Sequence, residues 1–218
     1  MQEMRMWGIQ GYDSTEMVRK ITKYQARVLD PRLAIYELEK SFHIAGEGRP
    51  GPVWIDFPMD VQGAWISTKK LSHFDPPDPI SYMPEPLVNQ MDEVEALLRN
   101  AKRPVFWLGQ GIRLAGAHAF IKPLLDVCPV PTLLSWAGLD MLDAHHALNF
   151  GHAGVYGMRA ANFVLQNADL LIAVGNRMAI PMIGYEHSEF AREAKVVQVD
   201  IDPQEFEKVN DITHLPIL

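Results

Sequence analysis

Three clusters of glycine beside a charged residue are the places in this sequence where chemistry is expected. In GHAGVYGMRAANF, Gly151, Gly154 and Gly157 precede Arg159 and a run of helical spacing over 160–167. DLLIAVGNRM then sets an apolar strand, Leu170–Val174, against Gly175 and Arg177, and a strand over 196–199 ends in Asp200-Ile201-Asp202. A further pair, Gly109 and Gly111, follows a strand over 105–108. Glycine at a strand end lets backbone N–H groups approach a phosphate, and a guanidinium binds phosphate through paired N–H bonds. An acidic residue just past a strand accepts from ribose hydroxyls. The pattern predicts a nucleotide-type crevice at the carboxyl ends of parallel strands. It does not contain a dinucleotide fingerprint, because the glycine after Gly109-Gln110-Gly111 falls at Gly116 instead of position 114.

Each of these residues has a purely structural alternative. Arg177 is either a phosphate ligand or a surface arginine paired with Glu186 or Glu189. Asp202 precedes Pro203 and so reads as a helix N-cap, while Asp200 keeps the ligand reading. Arg159 and Asn162 read as residues that orient the glycine loop and the start of the helix. The eight histidines show neither HxH nor HxxxH spacing, so no metal site is expected in the chain. Neither Ser135 nor Ser188 lies in a GxSxG nucleophile elbow, and no phosphate-binding P-loop is present.

The elements that position these residues follow from periodicity. Asp13-x-x-Glu16 is a capping-box start for a short helix to Ile21, and Asp30-Pro31 opens a longer helix with an apolar stripe at Ile35, Leu38, Phe42 and Ala45. Pro50-Gly51-Pro52 then turns the chain into a strand at 53–55. Five prolines crowd into 76–86, which predicts an extended linker over 67–86. From Leu87 helices alternate with strands: a helix to about Asn100, the 105–108 strand, a helix over 115–127 that Pro123 delays or kinks, and a strand over 130–134. That alternation predicts an α/β domain with a doubly wound parallel sheet over 87–218. One helix and one strand before the linker make only part of an α/β layer, so 1–66 is expected to expose apolar faces.

Composition narrows the remaining classes. Lys and Arg total 20 against 27 Asp and Glu, and the net charge of −7 argues against nucleic acid or an anionic membrane surface as partner. The single cysteine, Cys128, excludes an internal disulfide and suits a reducing, cytoplasmic setting. No apolar run approaches the roughly 20 residues that span a bilayer.

Read together, G-x-x-G-x-R-x-A-N-F, A-D-L-L-I-x-x-G-x-R and A-K-V-V-x-V-D-I-D resemble the central domain of thiamine-diphosphate enzymes, with the acetolactate synthase large subunit as the nearest branch. AKRPVFWLGQG (101–111) resembles the start of that domain, and ITKY (21–24) with GRPGPVWIDFPMDVQ (48–62) resembles the end of the preceding pyrimidine-binding domain. The resemblance implies an enzyme that makes or cleaves C–C bonds of 2-oxoacids, a transferase or lyase working as a homo-oligomer with the remaining domains of the same enzyme. It implies a cofactor-binding crevice at Gly109, Gly111, Gly154, Gly157, Gly175, Arg177 and Asp200, and a substrate channel flanked by Gln10 and Lys23. Thiamine diphosphate and Mg²⁺ would serve the complete enzyme, but the GDG…N motif that holds them is absent between Met1 and Leu218. The chain alone is therefore expected to be inactive, with no catalytic or metal-ligating residue of its own. FAD lies against the Gly109 turn in acetolactate synthase. Here Met178-Ala179-Ile180-Pro181 replaces the polar loop after the arginine, which argues against flavin. A non-catalytic nucleotide-binding or scaffolding module is the alternative from another class. An NAD-linked enzyme of the sirtuin-like type is disfavoured by the absence of zinc cysteines.

Overall fold

The computed structural model describes residues 11–78 and 87–218, and the chain divides into two compact units, 1–81 and 82–218. In the first unit, Asp13 caps α1 (Ser14–Val18) by accepting from the Thr15 N–H. A parallel pair follows, β1 (Tyr24–Arg27) and β2 (Val53–Asp56), joined by α2 (Ala34–Gly46). Periodicity did not predict β1. Its register is held by Arg27, which bridges Asp13 at 3.2 Å and Asp56 at 3.0 Å. Asp30 caps the 3₁₀ turn Pro31–Leu33 ahead of α2, and its hydrogen bonds from Arg32 lower its pKa to about 2. A short helix, α3 (Met59–Gln62), follows β2.

The apolar stripe on α2 is largely uncovered among the described residues. Phe42 is 80% exposed and Leu38 is also exposed, while Ser41 is the buried residue of the helix. A two-stranded sheet covers one side of a helix and leaves the rest of a wide apolar face bare. Part of that face is met by the start of the proline-rich segment. Phe74 packs edge-on against Tyr36 at 5.7 Å, and its N–H donates to Glu39. His73 also binds Glu39, and it is the main reason that this carboxyl lies below its usual pKa.

The second unit contains a five-stranded, wholly parallel sheet. Its elements are α4 (Leu87–Asn100), β3 (Pro104–Leu108), α5 (Gly111–Leu114), α6 (Ile121–Val127), β4 (Thr132–Leu134), α7 (Arg159–Gln166), β5 (Leu170–Val174), α8 (Ile180–Ile183), β6 (Lys195–Val199), α9 (Pro203–Glu207) and β7 (Thr213–Ile217). Pro123 falls inside the first turn of α6, where its missing N–H costs nothing, so the helix starts late and does not kink. β7 was not expected, because Pro216 disguises it; proline is tolerated there since β7 is an edge strand.

Strands β3 to β6 are buried on both faces, and alternation sorts them into two cores. Val105, Trp107, Leu133, Leu171, Ala173 and Val196 face one side, where Trp107 stacks on Phe190 at 5.9 Å. Phe106, Leu108, Leu134, Ile172 and Val197 face the other with Val94, Ile112 and Leu125. Asp169 fastens the start of the sheet by accepting from the N–H groups of Lys102 at 2.8 Å and Arg103 at 2.9 Å. Burial alone would raise its pKa, but these bonds and the Arg103 charge outweigh it and hold the carboxyl below its ordinary value.

Candidate functional site

The strand order β4-β3-β5-β6-β7 puts the reversal of direction between β3 and β5. In doubly wound sheets that switch point opens a crevice outside the carboxyl ends of the strands. Here the two strand ends touch. The Gly109 N–H donates to Val174 O and the Gly111 N–H to Gly175 O, both at 2.9 Å. A Cβ on Gly109 would lie 2.1 Å from Gly175 O, and one on Gly175 would lie 2.7 Å from Ile112 N. Gly175 also has φ +57°, a left-handed conformation that favours glycine. The N–H groups of Gly109, Gly111 and Gly175 are thus spent within the sheet, the last on Val199 O at 2.8 Å. These glycines let the backbones close up and do not themselves offer donors to a phosphate.

The polar groups that remain uncommitted come from the residues around them. Gln110 Oε1, Ser135 Oγ and Asn176 Nδ2 are buried and have no hydrogen-bond partner among the described residues. They follow β3, β4 and β5, three neighbouring strands, so all lie at the carboxyl ends of the strands that flank the switch point. Asn176 is 2% exposed, and its Oδ1 accepts from the Met178 N–H at 3.2 Å, which leaves the amide nitrogen as the unused end. Sequence reasoning missed all three. The available signal was a side chain with hydrogen-bonding capacity one or two positions beyond a strand end.

Arg177 is 64% exposed at its side chain and lies 3.9 Å from Glu205 Oε1. Its carboxylate neighbour is thus neither Glu186 nor Glu189; Glu189 is engaged by Arg192. Lys208 donates both to Glu205 and to the Arg177 carbonyl, binding the turn after β5 to α9. Asp202 is the N-cap of α9 and accepts from Gln204 N–H at 3.0 Å. Asp200 accepts from the Asp202 N–H at 3.1 Å and so shapes the same turn. Gln198, buried in β6, donates to Glu205 O and accepts from Thr213, linking β6 to α9 and β7.

The 151–157 loop is pinned from two sides. Asn162 accepts from the Gly154 N–H at 2.8 Å and donates back to Gly154 O at 3.1 Å, the orienting role expected of it. Gly154 has φ +116°, and a Cβ there would meet Pro181 O at 2.7 Å. At Gly157 the obstruction is the loop itself, with Ala153 C at 2.7 Å. Tyr156 on this loop contacts the Trp136 ring, 5.7 Å between centroids, beyond the end of β4. Arg159 opens α7 and lies over the Phe163 ring at 5.4 Å.

In the first unit, Lys23 donates to the carbonyls of Glu47 at 2.6 Å and Arg49 at 3.0 Å, tying down the C-terminal end of α2. Gln10 lies outside the described residues. No group of three or more His, Cys, Asp or Glu side chains converges among the described residues, so they present no donor set for Mg²⁺. Met178, Met182 and Ile183, which follow β5, are buried in the core.

Strand order, switch point and glycine contact define a doubly wound, parallel α/β domain. The family described as thiamine pyrophosphate enzyme, central domain, matches residues 91–218, more than half of the chain. The acetolactate synthase large subunit of Corynebacterium glutamicum is 33% identical over 200 residues, covering 91% of this chain and 31% of that protein. The isozyme 1 large subunit of Escherichia coli is 36% identical over 174 residues, 79% and 30% of the two chains. A probable acetolactate synthase 2, chloroplastic, of Oryza sativa is 33% identical over 222 residues, 98% and 32%. The chain belongs to the thiamine pyrophosphate enzyme family, and it spans about a third of the length of these curated relatives. No described helix is long and apolar enough to cross a membrane.

Proposed function

We propose that the chain forms part of an acetolactate synthase-like enzyme that makes or cleaves a C–C bond of a 2-oxoacid, with residues 87–218 as its crevice domain. The observation that carries this reading is the switch point where Gly109 meets Gly175, inside the span shared with the family. Thiamine diphosphate, when bound, supplies the electron sink for that bond change. Residues 1–218 contain no GDG sequence, so the cofactor and its Mg²⁺ are assigned to other parts of the enzyme. The crevice residues here position: Gly109, Gly111 and Gly175 close the strand ends, Gly154 and Gly157 shape the loop, and Arg177 and Asp200 flank the opening. FAD binds weakly or not at all, since the turn after Arg177 places Met178 in the core.

A chimera tests this reading. Residues 1–218 replace the matching third of the Corynebacterium glutamicum large subunit, and 2-oxoacid consumption is followed. Turnover by the chimera and none by the 218-residue chain alone is expected. A chimera that folds and binds thiamine diphosphate yet consumes no 2-oxoacid refutes the activity. Micromolar binding of thiamine diphosphate and Mg²⁺ by the chain alone, seen by calorimetry, refutes the assignment of the catalytic centre.

A further inference from the structure

A groove of about 600 Å³ runs along α7 from Gly157 of the glycine loop. Its lining includes Arg159, Asn162, Phe163, Gln166 and Arg192, and no acidic residue. Arg159, Phe163 and Gln166 are four and three residues apart, so they share one face of the helix. Two guanidinium groups thus border one groove of a chain whose net charge is −7. Local positive charge against an acidic background steers anions to that spot. Arg159 has no carboxylate partner among the described residues and is occupied by its cation–π contact with Phe163. Arg192 has only a 3.5 Å contact to the exposed Glu189.

A second observation concerns the far end of the groove. Gln166 donates its Nε2 to Glu189 O at 3.1 Å, while its Oε1 is buried without a partner. A buried acceptor left without a donor costs free energy that a bound donor recovers. The residue before Arg192 is Ala191, a buried non-glycine with φ 43°. Such left-handed residues persist where the surroundings hold them, and they occur at binding sites. The groove thus combines two cations with one unused buried acceptor.

We propose that this groove binds a small oxyanion-bearing molecule, a phosphate monoester or a carboxylate, on Arg159 and Arg192. A hydroxyl or ammonium close to the anion donates to Gln166 Oε1. This site adjoins the glycine loop at Gly157 but rests on Arg159, Arg192 and Gln166, and it stands whether or not the enzyme assignment above holds.

The experiment is calorimetric titration of the full chain with glycerol 3-phosphate, glycerate and inorganic phosphate. The first two share hydroxyls and differ in the anion, so they separate the phosphate source from the carboxylate source. Saturable binding of one of them with a Kd of about 1 mM or below is expected. R159Q and R192Q should each weaken it by about tenfold while leaving the thermal midpoint unchanged, as both side chains are on the surface. Q166M should weaken the hydroxylated probe and leave inorganic phosphate unaffected. The proposal fails if neither organic probe saturates, or if both arginine variants bind as the parent does. It also fails if Q166M lowers the affinity for both kinds of probe equally, because Gln166 would then act only by holding the groove in shape.

Discussion

Alanine at the switch-point glycines separates two costs that glycine avoids, conformational strain and steric exclusion. Gly116 has φ +69° with nothing within 4 Å of an added Cβ, so Gly116→Ala carries only the left-handed penalty, about 1–2 kcal/mol. Gly109 has an ordinary φ, but its Cβ would lie 2.1 Å from Gly175 O and 2.6 Å from Asn176 Cα, both backbone atoms. That is overpacking with no side chain to swing away, worth about 1–3 kcal/mol or more. Gly175→Ala combines both, with φ +57° and Ile112 N at 2.7 Å, for about 2–5 kcal/mol. Urea unfolding of the 82–218 transition, with the slope m unchanged across the set, gives the three values. Amide exchange at Gly111, whose N–H donates to Gly175 O, should accelerate in Gly109→Ala as the strand ends separate. If Gly109→Ala costs no more than Gly116→Ala, or Gly111 exchange is unchanged, the close contact of β3 with β5 is wrong.

Further expectations concern residues with assigned partners. The Asp169 carboxyl has a lowered pKa in the folded chain, so its stabilisation is complete above its unfolded pKa of about 3.9. It is lost as pH falls through the lower folded value, and Asp169→Asn should flatten that acid dependence in urea titrations between neutral and strongly acidic pH. Asn162→Ala removes both bonds to Gly154 and should cost about 1–3 kcal/mol in the same assay. Asp202→Ala removes the N-cap of α9 and should cost about 1 kcal/mol. For an adenine nucleotide measured by calorimetry, Arg177→Ala should weaken binding more than Asp202→Ala does. Stoichiometric flavin in the purified protein would contradict the weak-FAD reading.

β3 and β5 were legible because each is a continuous apolar run ended by glycine, and Leu170–Val174 is bounded as the run suggested. Helix starts were legible at Asp13, Asp30 and Asp202, where a short acidic side chain sits before the first turn and does accept from it. What escaped depended on partners distant in sequence. β1 is a short mixed stretch, YQAR, that becomes a strand only because β2 pairs with it and Arg27 bridges two aspartates. β7 hides behind Pro216. The stripe on α2 was legible as apolar, but periodicity reports which face is greasy and not what lies against it.

The crevice shows the same division at the level of single atoms. Sequence spacing marked Gly109, Gly111 and Gly175 as residues for a phosphate, and they sit at the switch point. Their N–H groups, however, are bonded across the strand ends, so removing the glycines would first damage the sheet. Uncommitted hydrogen-bonding capacity lies instead on Gln110, Ser135 and Asn176, each adjacent to a glycine or a strand end and ordinary as a residue type. A polar atom is costly when buried alone, and three of them flank one switch point. Binding that satisfies them returns that cost, whereas a glycine contact is complete before any ligand arrives. Ligand affinity should therefore respond to Asn176→Leu or Ser135→Ala, and fold stability to Gly109→Ala.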